Sequence, residues 1–178
     1  MQKKINFRNT MVNKCLFTLV GFLFLGSVSY AGEKVNFSGE WAINQEKTNL
    51  GENNFNVVGT KLIIDQKDNE FSITRFINGM DGQAMQVTEK CTMDGKESAN
   101  TVFNNSPKKS TFTWADDGKS FTLVSTIIFD NNGEKMEIKS NEVWKMADDG
   151  TFTIDLNSTS GWGELKQLYS FGKLQPKT

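Results

Sequence analysis

Turn signals cut this sequence, from Gly51 to Gly163, into pieces too short for anything but strands. Six Asn-Gly or Asp-Gly pairs mark it: Asn78-Gly79, Asp81-Gly82, Asp94-Gly95, Asp117-Gly118, Asn132-Gly133 and Asp149-Gly150. Both residues of such a pair tolerate positive φ, which tight hairpins require. Asn78-Gly79 and Asp81-Gly82 share one turn, so with the polar loops around Gly51–Asn54, Gln66–Asn69, Asn104–Pro107 and Ser160–Gly163 there are nine turns, about 11 to 17 residues apart. Nine turns join ten strands. No connection is long enough for a βαβ crossover, so the sheet is expected to be almost wholly antiparallel.

The pieces between the turns alternate. Val35, Phe37, Gly39, Trp41 and Ile43 share a face, as do Phe71 with Ile73, Phe112 with Trp114, Phe121 with Leu123, and Phe152 with Ile154 and Leu156. Lys90, Glu137, Lys139 and Asp155 fall on the opposite side. A period of two over so many segments gives one wet face and one buried face. The class is therefore all-β: an antiparallel up-and-down meander of about ten strands that closes on its apolar face and so removes its sticky edges. A membrane barrel would turn its apolar residues outward between aromatic girdles, whereas here the second face is rich in Lys and Asp. One near-repeat, Trp114–Leu123 against Trp144–Ile154 about 31 residues later, reads as repeated hairpin chemistry and not as a solenoid, which needs at least three copies.

The first 31 residues read as a signal peptide. Lys3, Lys4, Arg8 and Lys14 precede the apolar run Cys15–Gly26, and Ser29-Tyr30-Ala31 is a small-x-small cleavage pattern. The apolar run is too short to span a bilayer, and no other stretch approaches the required length. Residues 32–178 are expected to form a single domain, exported to the periplasm or the extracellular space. Cleavage after Ala31 would leave 147 of the 178 residues. Four basic and no acidic side chains would go with the leader, moving the net charge from −1 to −5. That charge disfavours nucleic acid as a partner. Only Cys91 would remain, so no internal disulfide is expected, and Cys91 reads as a small buried hydrophobe.

Composition narrows the chemistry further. There is no histidine, which removes the usual general base, the commonest zinc ligand and every Ser/His/Asp or Cys/His nucleophile arrangement. Carboxylates such as Asp116-Asp117 and Asp148-Asp149 sit in turns, where hairpin geometry explains them. Asp130–Glu134 lacks the full spaced ligand set of a calcium loop. No catalytic residue, metal or cofactor is nominated.

Arg75 is the one arginine beyond the leader. Alternation from Phe71 through Ile73 to Ile77 puts it on the apolar face, where a guanidinium needs an anionic or hydrogen-bonding partner. Glu89, in step with Met85, Val87, Cys91 and Met93, and Glu142, in step with Ile138, Ser140 and Trp144, also project inward if no bulge intervenes. Three roles stay open for Arg75: an internal pair with a carboxylate, a receptor for the polar end of a ligand, or a residue turned to water by a bulge.

At Phe37-Ser38-Gly39-Glu40-Trp41 the sequence resembles the opening Gly-x-Trp signature of lipocalins and related calycin barrels. The resemblance covers five residues on one strand and is supported by the strand count and meander order. It implies a lipocalin-like barrel, an exported bacterial protein when taken with the leader, and a lumen that often carries small apolar ligands. The family's arginine near the chain end, which packs over that tryptophan, has no counterpart beyond Lys166 and Lys173. The connection from Gln45 to Asn56 is too short for the helical lid of intracellular fatty-acid-binding relatives. On this reading Arg75, Glu89 and Glu142 with Trp41, Trp114 and Trp144 are the expected ligand-binding residues, and a small hydrophobic or amphiphilic molecule is the expected partner. The alternative is a non-catalytic envelope interaction module with a filled core, acting on a protein or glycan through residues such as Trp162. A third reading is a barrel enzyme that uses carboxylates. Oligomeric state is not legible.

Overall fold

The computed structural model describes residues 33–175 apart from 53, 80, 81 and 132, so the expected leader lies outside the described residues. Ten strands follow one another: β1 (Gly39–Ile43), β2 (Lys61–Lys67), β3 (Glu70–Asn78), β4 (Ala84–Thr92), β5 (Glu97–Thr101), β6 (Pro107–Trp114), β7 (Ser120–Asn131), β8 (Glu134–Met146), β9 (Phe152–Ser160) and β10 (Gly163–Lys173). They form one sheet in the order β4-β3-β2-β1-β10-β9-β8-β7-β6-β5, and every pairing is antiparallel. β1 pairs with β10, which bends the meander round into a nearly closed barrel.

All nine expected turns fall between strands. The near-repeat is hairpin chemistry as read: Ala115 N–H donates to Ser120 O and Gly118 N–H to Ala115 O, while Ala147 N–H donates to Thr151 O and Gly150 N–H to Ala147 O. Lys119 Nζ reaches Asp148 at 2.9 Å and ties the two tips together.

The barrel closes at every seam but one. β4 and β5 share no ladder, and side chains of β5 stand in for its backbone. Lys90 N–H donates to Asn100 Oδ1 and Asn100 Nδ2 donates to Lys90 O, each at 2.9 Å, while Thr92 N–H donates to Ser98 Oγ at 3.0 Å. An open edge of unpaired N–H and C=O groups is a template for unwanted pairing. Here three of those groups are capped from within the chain.

One end of the barrel is packed solid with aromatic rings. Phe112, Phe121, Trp144, Phe152 and Phe171 come from five neighbouring strands, β6 to β10, and stack in succession with centroids 4.2, 5.2, 5.3 and 5.1 Å apart and planes within 20° of parallel. Phe37 enters this end from the segment before β1, held by its own N–H to Gln66 Oε1 and by Gln66 Nε2 to Val35 O. It meets Phe71, Phe121, Trp144 and Phe152 edge-on, the arrangement that aromatic quadrupoles favour. All these rings are at most 1% exposed.

Trp41 closes the same end, donating from Nε1 to Phe37 O at 2.9 Å. Lys173, directly across from it on β10, lies over its ring with Nζ 5.4 Å from the centroid. The sequence showed no arginine for this place; a lysine makes the cation–π contact instead. Gly39 is what lets Lys173 pass: its φ is +138°, and a Cβ there would stand 2.8 Å from Lys173 Cε.

Candidate functional site

The opposite end is open inside. A cavity of about 510 Å³ runs from mid-barrel to the mouth, within the range of sites that hold small organic ligands. Its walls are mostly apolar, from Val58 and Ile77 through Ile127, Phe129 and Ile138 to Leu156. Phe55, Met85 and Trp162 stand at the rim and are 37%, 38% and 71% exposed. The connection from β1 to β2 holds, among its described residues, the three-residue 3-10 helix Gln45–Lys47 and a single bridge from Asn49 to Leu168. Gln167 and Tyr169 of β10 pin this connection: Gln167 Nε2 donates to Leu50 O and Phe55 O, and Val57 N–H donates to Tyr169 Oη.

The floor of the cavity is charged. Arg75, on β3, is 4% exposed and points inward, so no bulge turns it to water. Its Nε donates to Glu89 Oε1 of β4 at 3.1 Å, and its Nη2 donates to Glu142 of β8 at 2.8 and 3.1 Å. Glu142 also accepts from Trp144 Nε1 at 2.9 Å, and the guanidinium lies over the Trp144 ring at 5.6 Å. A fourth member, Lys108 of β6, pairs with Glu89 Oε2 at 2.5 Å, reaching past the unlaced β4–β5 seam. Side-chain exposures of 3 to 7% place all four out of bulk water.

Two positive and two negative groups thus balance inside the barrel. Burial alone would drive the Arg75 guanidinium and the Glu89 carboxylate toward their neutral forms. For Arg75 that penalty is overcome by Glu142 and then Glu89, and the guanidinium is held more firmly protonated than in water. For Glu89 burial is likewise the largest influence, but Lys108 and Arg75 together outweigh it and lower its pKa. Cys91, on the same strand, is 3% exposed and its thiol is pushed up to about 11 by burial, which leaves it an inert filler.

Of the six residues expected to bind a ligand, Arg75, Glu89 and Glu142 line the cavity and form one cluster. Trp41, Trp114 and Trp144 are absent from the lining and belong to the aromatic end. The physical reason is position along the strand. Trp144 shares a face with Glu142 but lies two residues nearer the β8–β9 turn, on the far side of the cluster. Lys108 escaped the sequence reading because a lysine does not register as inward. Its signal was parity, since 108, 110, 112 and 114 point the same way and Phe112 is core. The same parity finds Ser110 and Ser125, buried and 3.0 Å apart. Asp130 accepts from the Gly133 N–H of its own turn; Asn132, also in the incomplete calcium set, lies outside the described residues. No group of His, Cys, Asp or Glu able to hold a metal ion occurs among the described residues.

No family model and no curated protein matches the sequence. Among solved structures, the barrel is similar to the crystal structure of zebrafish ileal bile acid-binding protein complexed with cholic acid. The similarity has a TM-score of 0.51 at 16% identity and covers 78% of this chain and 98% of that one. At that identity the likeness shows the fold alone, an antiparallel β-barrel.

Proposed function

We propose that this protein is an exported binding protein that takes a small apolar or amphiphilic molecule into the open half of its barrel, with the polar end of the ligand toward Arg75. The observation that carries the reading is the cavity of about 510 Å³, apolar along its walls and polar at its floor. A filled core, which an interaction module acting only through its surface would have, is absent from that half. The structural neighbour was crystallised with an amphiphile, cholic acid, which supports the same reading. Export rests on the leader alone.

The test is native mass spectrometry of the protein expressed with its own first 31 residues, followed by organic extraction. A mature mass of 147 residues carrying one apolar molecule is the expected result. Ile138→Trp, which fills the cavity from its wall, should abolish that adduct while leaving the far-UV spectrum unchanged. A clean protein mass that stays clean after incubation with mixed lipids would overturn the reading.

A further inference from the structure

The floor of the cavity is already neutral. Arg75 and Lys108 face Glu89 and Glu142, and every one of the four is engaged. The remaining charged residue in the described lining is Glu164, exposed at the rim. A carboxylate or sulfate brought down to this buried floor would add an uncompensated negative charge beside two carboxylates that hold Arg75 first. Burying a charge without a partner is among the costliest things a site can be asked to do.

What the floor leaves over is hydrogen-bonding capacity without charge. Arg75 uses Nε and Nη2, and its Nη1 has no hydrogen-bond partner among the described residues. Above it, Ser140 of β8 and Ser158 of β9 stand opposite each other in register, both in the cavity lining and neither hydrogen-bonded through its hydroxyl to a described residue. A guanidinium N–H donates only, and a hydroxyl both donates and accepts. Together they suit a carbonyl, ester, amide or alcohol oxygen.

We infer that the ligand is an uncharged amphiphile bearing an oxygen function at its deep end, and that the balanced floor of Arg75, Lys108, Glu89 and Glu142 rejects the ionised acid of the same chain length. This rests on the proposal that the cavity binds an apolar ligand, and the test separates the two. Dodecan-1-ol, dodecanamide and dodecanoic acid compete against the neutral fluorophore N-phenyl-1-naphthylamine at pH 7.4. The alcohol and the amide should displace the probe at concentrations at least about a hundredfold lower than the acid, the scale expected for one unpaired buried charge. Lowering the pH toward about 5, where the acid begins to be protonated, should bring it closer to the alcohol. Glu142→Gln leaves the floor one charge positive and should invert the preference; Lys108→Met leaves it one charge negative and should deepen it. Equal competition by all three, or preference for the acid in the parent protein, overturns the inference and leaves the binding reading standing. Failure of the probe and all three compounds to bind would overturn both. The comparison in the unmutated chain decides even if a variant does not fold.

Discussion

At the residue scale the barrel depends on a few positions that tolerate only one side chain, and on some that look alike and do not. Gly59 has φ +119°, and a Cβ there would stand 2.7 Å from the backbone oxygen of Phe76. Backbone gives way less readily than a side-chain end, so Gly59→Ala combines a strained φ with a clash and should cost about 2 to 3 kcal/mol. Gly172 on β10 has nothing within 4 Å of the place its Cβ would take. The same substitution there should be neutral or stabilise by about 0.5 kcal/mol, because strand glycines mainly add entropy to the unfolded chain. Urea titration of the two variants checks the contrast, and equal losses would contradict it. Arg75, Glu89 and Glu142 could be placed inward from sequence because strict alternation carries them there beside recognisable core residues. Their pairing could not be read, since it depends on which strands meet across the barrel and how far each side chain reaches. Lys108 shows the limit from the other direction: the period was legible, but its chemistry argued against following it.

At the scale of elements the weakest seam lies between β4 and β5. The sequence fixes neither its position nor its chemistry, because ten alternating strands with hairpin turns look equally able to pair with both neighbours. β5, as short as β1, differs in carrying no apolar inward residue, only Ser98 and Asn100, whose side chains cap β4. Asn100→Ala should therefore raise the hydrogen-exchange rate of the Lys90 amide by about tenfold, the worth of one or two ordinary hydrogen bonds. Amides of β7 and β8, paired over twelve residue positions, should not change. Uniform acceleration across the barrel would show that the seam is not a separate opening unit. The turns, by contrast, were legible at every one of the nine places, because five carry Asn-Gly or Asp-Gly pairs that state their geometry locally and the other four are polar loops that interrupt the alternation.

For the whole molecule, the lack of histidine has a consequence for pH. With no side chain of ordinary pKa near neutrality and the Cys91 thiol at about 11, stability should be flat between about pH 6 and 8. On the acid side the sign follows from Glu89. Its pKa is lower in the folded protein than the ordinary 4.5, so the unfolded chain takes up its proton first as pH falls. The stability that Glu89 contributes is complete above about 4.5 and is lost as pH drops through the folded value. The contribution of this one group falls no faster than about 1.4 kcal/mol per pH unit. The exposed carboxylates Asp94, Asp117 and Asp149, also lowered by hydrogen bonds, act in the same direction but weakly, because water screens them. Thermal midpoints at pH 7, 5 and 3 should run level and then fall, and Glu89→Gln should flatten the fall while lowering the plateau. A midpoint that rises toward pH 3 would refute the assignment.

The stack from Phe112 to Phe171 crosses five strands at one height, and the cavity begins above the charged floor that Trp144 supports. Each of those strands is thus divided along its length, one part holding its neighbours together and the other facing whatever enters. Substitutions in the upper part can reshape the lumen without disturbing the contacts by which the chain finds its fold. A chain built this way keeps its scaffold when the lining of its open half is exchanged.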